Sequence, residues 1–291
     1  MLLRQVDDRL GLSQWFAACL PDERDQSRIE HSRIEQVRQR LYQIAMGYED
    51  CNDANSLRHD ALFKTVCDRL PEQTNGLSSQ PTLSRFENDV ATGATLNRLM
   101  TQFEQSYVDA LPADTTIVIL DIDTTDDKTH GQQQLTFYHG YYDEYMYHPL
   151  MIFDGNGQLV TAMLRPGNAI ASRSAWPLLR RVIRRIKARF PAVQIVVRGD
   201  SAFSVPHLLD KLEGLNRKYG DVDYIFGLAQ NQVLLRLAAE PMASAKTLFE
   251  QSGQNVRHFD SFTYAAKTWS HERHVVVKVE YNPKGPNPDY S

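Results

Sequence analysis

The chain is poor in cysteine: among 291 residues only Cys19, Cys51 and Cys67 occur, at no recognised metal-binding spacing. One of the three stays unpaired in any disulfide scheme. A cysteine-built zinc site and a disulfide-stapled fold are therefore excluded, and a reducing compartment fits best. No apolar run reaches 18 residues, and the opening Met1-Leu2-Leu3-Arg4-Gln5-Val6-Asp7-Asp8-Arg9 lacks a continuous apolar segment. Neither a spanning helix nor a secretory leader is expected, so the protein reads as soluble and cytoplasmic. Internal repeats and low-complexity tracts are lacking too. A net charge of −4 carries no bulk signature of a nucleic-acid partner. Acidic residues are also missing locally: from Gly155 to Gly199 there are nine Arg or Lys and no Asp or Glu.

The composition, 42% hydrophobic and 23% charged, suffices for a sizeable core divided among two or three units. Residues 1–111 read as helical. Ile34, Val37, Leu41 and Ile44 recur at three- and four-residue steps and predict one buried stripe on a helix over 27–46. Ser56 and Pro71 bracket a second helix, and further helices are expected from Leu83 to Gly93 and from Leu96 to Leu111. From Thr115 the pattern changes to strands. A β-branched run over 115–120 comes first, then extended stretches over 135–140, 145–153 and 158–164. Asp154-Gly155-Asn156-Gly157 is a hairpin-turn signal between the last two. An amphipathic helix over 173–189 leads to a strand at 193–197, a helix at 206–219 and a strand at 223–228.

Hairpin-linked strands followed by helical crossovers give a mixed α+β fold with the strand order of a ribonuclease H-like mixed sheet. The expected division is a helical region over 1–111, a core over 112–229, and a β insertion beginning in 230–291. The terminal stretch 282–291, rich in Pro and Gly, shows no packing pattern and suggests a truncated core.

Two short segments carry the chemistry: Leu120-Asp121-Ile122-Asp123-Thr124-Thr125 and Val196-Val197-Arg198-Gly199-Asp200-Ser201. Each follows a run of strand-forming residues. Carboxylates on rigid neighbouring strands can share one hard divalent cation. Asp123 and Asp200 are the candidate ligands, with Asp121 as an alternative to Asp123, since strand alternation puts both on one face. The plainer explanation is that aspartates at strand ends cap turns. In the basic stretch, Arg181, Arg185 and Arg189 fall on one helical line with Arg180, Arg184 and Lys187 beside it, a face suited to a phosphate backbone. The plainer explanation is an ordinary solvated helix face. The aromatic cluster Phe137 to His148 is read chiefly as sheet packing, with base stacking as the other role. His271 and His274 lack further ligands nearby, so a zinc site is not expected there.

The pieces Gly47-Tyr48-Glu49-Asp50-Cys51-Asn52-Asp53, Leu57-Arg58-His59-Asp60, Ser79-Gln80-Pro81-Thr82-Leu83-Ser84-Arg85-Phe86-Glu87-Asn88, Asp121 to Asp127 with His130-Gly131-Gln132, Arg165-Pro166-Gly167-Asn168 and Arg198-Gly199-Asp200-Ser201-Ala202-Phe203 together resemble a bacterial insertion-sequence transposase of the DDE class. The resemblance spans nearly the whole chain. It implies a ribonuclease H-like core in which Asp, Asp and Glu hold two Mg²⁺ ions, with Mn²⁺ as the other candidate. The first two carboxylates fall on Asp123 and Asp200. The third has no clear counterpart: Tyr264, Lys267, Glu272 and Lys278 approach its pattern, but Glu272 stands one position late among strand-like residues. The resemblance further implies metal-dependent cleavage and strand transfer on double-stranded DNA, at terminal inverted repeats and at a target. Arg165, Arg173, Arg181 and Arg185 are the expected DNA contacts. A homodimer is compatible, and the oligomeric state stays open.

Two rivals remain at this point. Asp121-Ile122-Asp123-Thr124-Thr125 also fits the nucleophile motif of a haloacid dehalogenase-type phosphatase using Asp121, although Ser204 stands where that family wants a further Asp. The other is a DNA-binding transposase remnant without cleavage.

Overall fold

The computed structural model describes residues 1–131 and 133–291; Gln132, the last residue of the His130-Gly131-Gln132 piece, lies outside the described residues. The chain divides into two compact units, Met1–Phe103 and Glu104–Ser291. Among the described residues no helix is long and apolar enough to cross a membrane.

The first unit is built from α1 (Leu2–Leu10), α2 (Leu12–Cys19), α3 (Arg33–Ala45), α4 (Ala54–Leu57), α5 (Ala61–Val66), α6 (Gln80–Val90) and the start of α7 (Gly93–Ala110). The predicted helix over 27–46 starts late, because Ser32 caps it by accepting from the Glu35 N–H at 3.3 Å. Its buried face also differs from the expected stripe. Val37 is buried, but Ile44 is 51% exposed, while Gln36, Arg38, Gln39 and Gln43 face inward. Burying polar side chains on such a face costs free energy unless they are bonded, and the Gln43 side-chain amide has no partner among the described residues. Gln39 meets that need by accepting from Ser78 N and donating to Ser78 O, at 3.0 and 2.9 Å. Arg38 pairs with Asp68 and donates to Ser13 Oγ. The expected second helix is split in two, since Asp60 caps α5 by accepting from Phe63 N at 2.7 Å.

The second unit holds β1 (Ile117–Thr124), β2 (Asp127–Lys128), β3 (Phe137–His139), β4 (Glu144–Tyr147), β5 (Leu150–Asp154), β6 (Leu159–Met163), α8 (Ala175–Arg189), β7 (Gln194–Gly199), α9 (Pro206–Tyr219) and β8 (Val222–Phe226). A five-stranded sheet runs in the order β6-β5-β1-β7-β8. Its β6-β5-β1 side is antiparallel and its β1-β7-β8 side parallel, the mixed order expected from the sequence. The turn into β6 is held by Asp154, whose Oδ1 accepts from the N–H groups of Asn156 and Gln158, both at 2.9 Å. Leu120, Ile122, Ile152, Ile195 and Val197 from the strands, with Leu179, Ile183 and Ile186 of α8 and Leu209 and Leu212 of α9, are all buried to 2% exposure or less. Each such side chain stabilises the fold by about 1.5–3 kcal/mol. β2, β4 and β3 form a small separate sheet rather than continuing the large one.

The C-terminal part carries α10 (Gln232–Leu237), α11 (Ala239–Ser252) and a three-stranded antiparallel sheet of β9 (Val256–Tyr264), β10 (Arg273–Asn282) and β11 (Gly285–Tyr290). The breaker-rich terminus is thus a strand, contrary to expectation. Pro286 and Pro288 are tolerated because β11 is an edge strand. Tyr290 anchors it, 1% exposed among Leu234, Ala245, Val275, Val277 and Val279.

Candidate metal centre and basic surface

Alternation along β1 buries Val118, Leu120 and Ile122 and places Asp121 and Asp123 on the opposite face. Both aspartates lie inside the strand, not beyond its end. In the parallel register with β7, Leu120 stands opposite Val197 and Asp121 opposite Arg198. The Arg198 guanidinium donates to both Asp121 oxygens, at 2.6 and 2.7 Å, so these side chains share a face. The ladder ends at that pair, and Asp123 and Asp200 each follow it by two residues along the chain. The step between, Ile122 beside Gly199, is close-packed: a Cβ on Gly199 would lie 3.0 Å from Ile122 Cγ2. Asp200 follows β7 directly and caps the next turn, its Oδ1 accepting from Ala202 N at 2.9 Å. Asp123 Oδ1 accepts from Thr124 N at 2.7 Å. Among the described residues neither carboxylate has a cationic partner, and the second oxygen of each has no hydrogen bond. Tyr142 senses both: its phenol is pushed up first by burial, then by Asp126, Tyr141, Asp123 and Asp200.

Two exposed, unpartnered carboxylate oxygens on adjacent strands are hard donors of the type that Mg²⁺ or Mn²⁺ prefers. They fit a divalent cation. Asp121 does not, because Arg198 already neutralises it. The antiparallel β5–β1 pairing is also foreign to a doubly wound phosphatase sheet. Both findings tell against a phosphatase using Asp121.

The basic stretch is sorted differently from expectation. Arg165 is buried, 3% exposed, and donates to the carbonyls of His148, Ile170, Ala171 and Arg173 at 2.6–3.2 Å. Burial pulls its pKa down to about 10, with a smaller contribution from Arg173. It ties a loop together and is not on the exposed basic face. Arg181 and Arg185 pair with Glu104, which is fully buried. Lys187 is buried as well, donating to Val193 O at 2.6 Å. The line Arg181–Arg185 therefore faces α7 instead of a solvated backbone. Arg173, Arg180 and Arg184 are exposed and have no ion-pair partner among the described residues.

The aromatic cluster is not core packing. Tyr141 is 85% exposed, Tyr145 61% and Tyr138 51%. Only Met146 and His148 of that stretch are buried.

One acidic cluster was not legible in the sequence. Asp210 and Glu213 on α9 meet His271 before β10, with ligand atoms within 4.8 Å of one another. The helix spacing puts both acids on one face, but nothing local signals the distant histidine. Arg273 donates to Glu213 at 2.7 Å and to Asp210 at 2.6 Å, so a guanidinium already supplies the positive charge. Glu272 adjoins this cluster and lines a cavity of about 880 Å³ with Glu213, Tyr224 and His271.

The family described as Transposase DDE domain group 1 matches the chain over residues 1–291. Comparison with curated proteins finds no match. Among solved structures the chain is similar to a piggyBac transposase synaptic complex with hairpin DNA, at 14% identity and a TM-score of 0.38, covering 96% of this chain and 56% of that one. It is also similar to a Drosophila P element transposase strand transfer complex, at 12% identity and a TM-score of 0.28, covering 60% and 39%. A Mos1 transposase paired-end complex with the left transposon end gives 12% and 0.25, covering 79% and 68%. The chain thus spans 56% of the length of the piggyBac chain.

Proposed function

The chain belongs to the family of DDE transposase domains, group 1, and from that premise we propose that it cuts and rejoins DNA phosphodiesters at insertion-sequence ends, with Asp123 and Asp200 as metal ligands. The observation that supports the proposal is the β1–β7 register, in which Asp123 and Asp200 each lie two residues beyond the Asp121–Arg198 pair, together with one carboxylate oxygen of each left unbonded among the described residues. A divalent cation, Mg²⁺ or Mn²⁺, would supply Lewis-acid stabilisation of the attacking and leaving oxygens. Asp123 and Asp200 would fix its place, each steadied by a backbone N–H. Asp121 and Arg198 are spent on one another. Within the basic stretch, Arg173, Arg180 and Arg184, exposed and without an ion-pair partner among the described residues, are the guanidinium groups offered to a double-stranded DNA backbone.

The test uses a supercoiled plasmid carrying the terminal inverted repeats. Asp123→Asn and Asp200→Asn should each lower Mg²⁺-dependent nicking by about a hundredfold or more, with DNA retention in a metal-free gel shift unchanged. Nicking by either variant at the parent rate would remove the assignment. Specific binding without any nicking by the parent would identify a DNA-binding remnant instead.

A further inference from the structure

We propose that the Asp121–Arg198 pair is a charge-setting and positioning device for the neighbouring metal centre: Arg198 holds Asp121 away from the cation while fixing the β1–β7 register that aligns Asp123 with Asp200. The inference rests on the reading of Asp123 and Asp200 as metal ligands.

Asp121 is chemically as good a ligand as Asp123. It lies two residues away on the same face, about 6.6 Å along the strand. The difference is Arg198, which stands opposite it in the parallel register and engages both oxygens, at 2.6 and 2.7 Å. A bidentate fork constrains orientation as well as charge. Arg198 itself lies two residues before Asp200, so each member of the pair flanks one proposed ligand. The pair is part-exposed, at 45% and 36%, and such a surface bridge adds little stability. Its consequence is local charge. As a pair the two side chains add no net charge beside the centre; either one alone adds a full unit. With Asp121 neutralised, the uncompensated negative charge that Asp123 and Asp200 supply is not added to by a third carboxylate of β1.

The direction of two substitutions follows. Asp121→Asn leaves Arg198 as an unpaired cation beside the centre and should weaken Mn²⁺ binding about three- to tenfold. Arg198→Ala frees a third carboxylate and should tighten it by a similar factor, both estimates for a divalent ion about 6–7 Å away in a well-solvated site. The double variant should return to within about twofold of the parent. Arg198→Lys, which keeps the charge and loses the fork, should stay within about threefold.

The measurement is a titration of the chain with Mn²⁺ alone, following free Mn²⁺ by electron paramagnetic resonance, with the Asp123→Asn/Asp200→Asn variant subtracted as background. Thermal melts on the same samples separate a structural role. Asp121→Asn and Arg198→Ala break the same contact and should lower stability alike, whereas their affinity shifts should have opposite signs. Affinity shifts of the same sign, or none, would overturn the device while leaving the ligand assignment standing. No subtractable Mn²⁺ binding by the parent would overturn both.

Discussion

Gly167 shows how a single missing Cβ can decide local structure. A methyl group there would lie 2.0 Å from the carbonyl oxygen of Met146 and 2.6 Å from that of Phe137. Both acceptors are backbone atoms of the small sheet and cannot swing aside. Gly167→Ala should therefore cost about 3 kcal/mol or more in urea unfolding; an unchanged midpoint would contradict the packing. Arg165, two residues earlier, reaches four carbonyls with one planar group. Lysine keeps the charge but not the fork, so Arg165→Lys should destabilise by about 2–3 kcal/mol, read from the same unfolding curves. The motif Arg165-Pro166-Gly167-Asn168 stands out in the sequence, but its meaning does not. A buried arginine serving carbonyls and a surface arginine serving phosphates look the same until burial is known.

At the scale of elements, α8 separates two kinds of arginine one residue apart. Arg181 neutralises the buried Glu104 carboxylate, with Arg185 and the Thr161 hydroxyl at 2.9 Å assisting. Removing it leaves that charge under-compensated, so Arg181→Ala should cost about 3 kcal/mol. Arg180→Ala should cost less than about 0.5 kcal/mol and should weaken DNA retention at low salt. Equal stability effects at the two positions would refute the distinction. The β9–β10 hairpin is tied to α9 through Arg273. A hydrogen bond from Ser270, and then Arg273, hold Asp210 below its usual 3.8. Burial opposes the same shift at Glu213, yet bonds from Arg273 and Tyr224 keep it below 4.5. Both folded values are depressed, so the stabilisation is complete above 4.5 and is lost as pH falls through 4.5 and 3.8 and below. Hydrogen exchange in β10 should accelerate over that range, and Arg273→Met should flatten the dependence. The strengths and failures of sequence reading divide along the same line. α8 was readable because its amphipathic pattern matches real burial. The stripe proposed for α3 was not, because Gln39 and Arg38 satisfy their polar atoms internally and displace Ile44 to the surface. β11 was missed because proline disqualifies a central strand but not an edge.

For the molecule as a whole, the order of hairpin-linked strands followed by helical crossovers was legible, and with it the mixed sheet. Periodicity distinguishes a hairpin-linked strand from one reached through a helix, and that distinction fixes parallel or antiparallel pairing. Register is a finer property. Whether Asp121 or Asp123 meets Asp200 depends on which residue of β1 stands opposite Arg198, and no single strand's sequence states this. The most direct test of the account replaces the divalent ion by Fe²⁺ and maps the backbone breaks caused by locally generated hydroxyl radical. An ion shared by Asp123 and Asp200 should cut the chain at two places, near the end of β1 and near the end of β7, and Asp123→Asn or Asp200→Asn alone should abolish both cuts. Cleavage near only one of the two strands, or cuts confined to Asp210, Glu213 and His271, would contradict it.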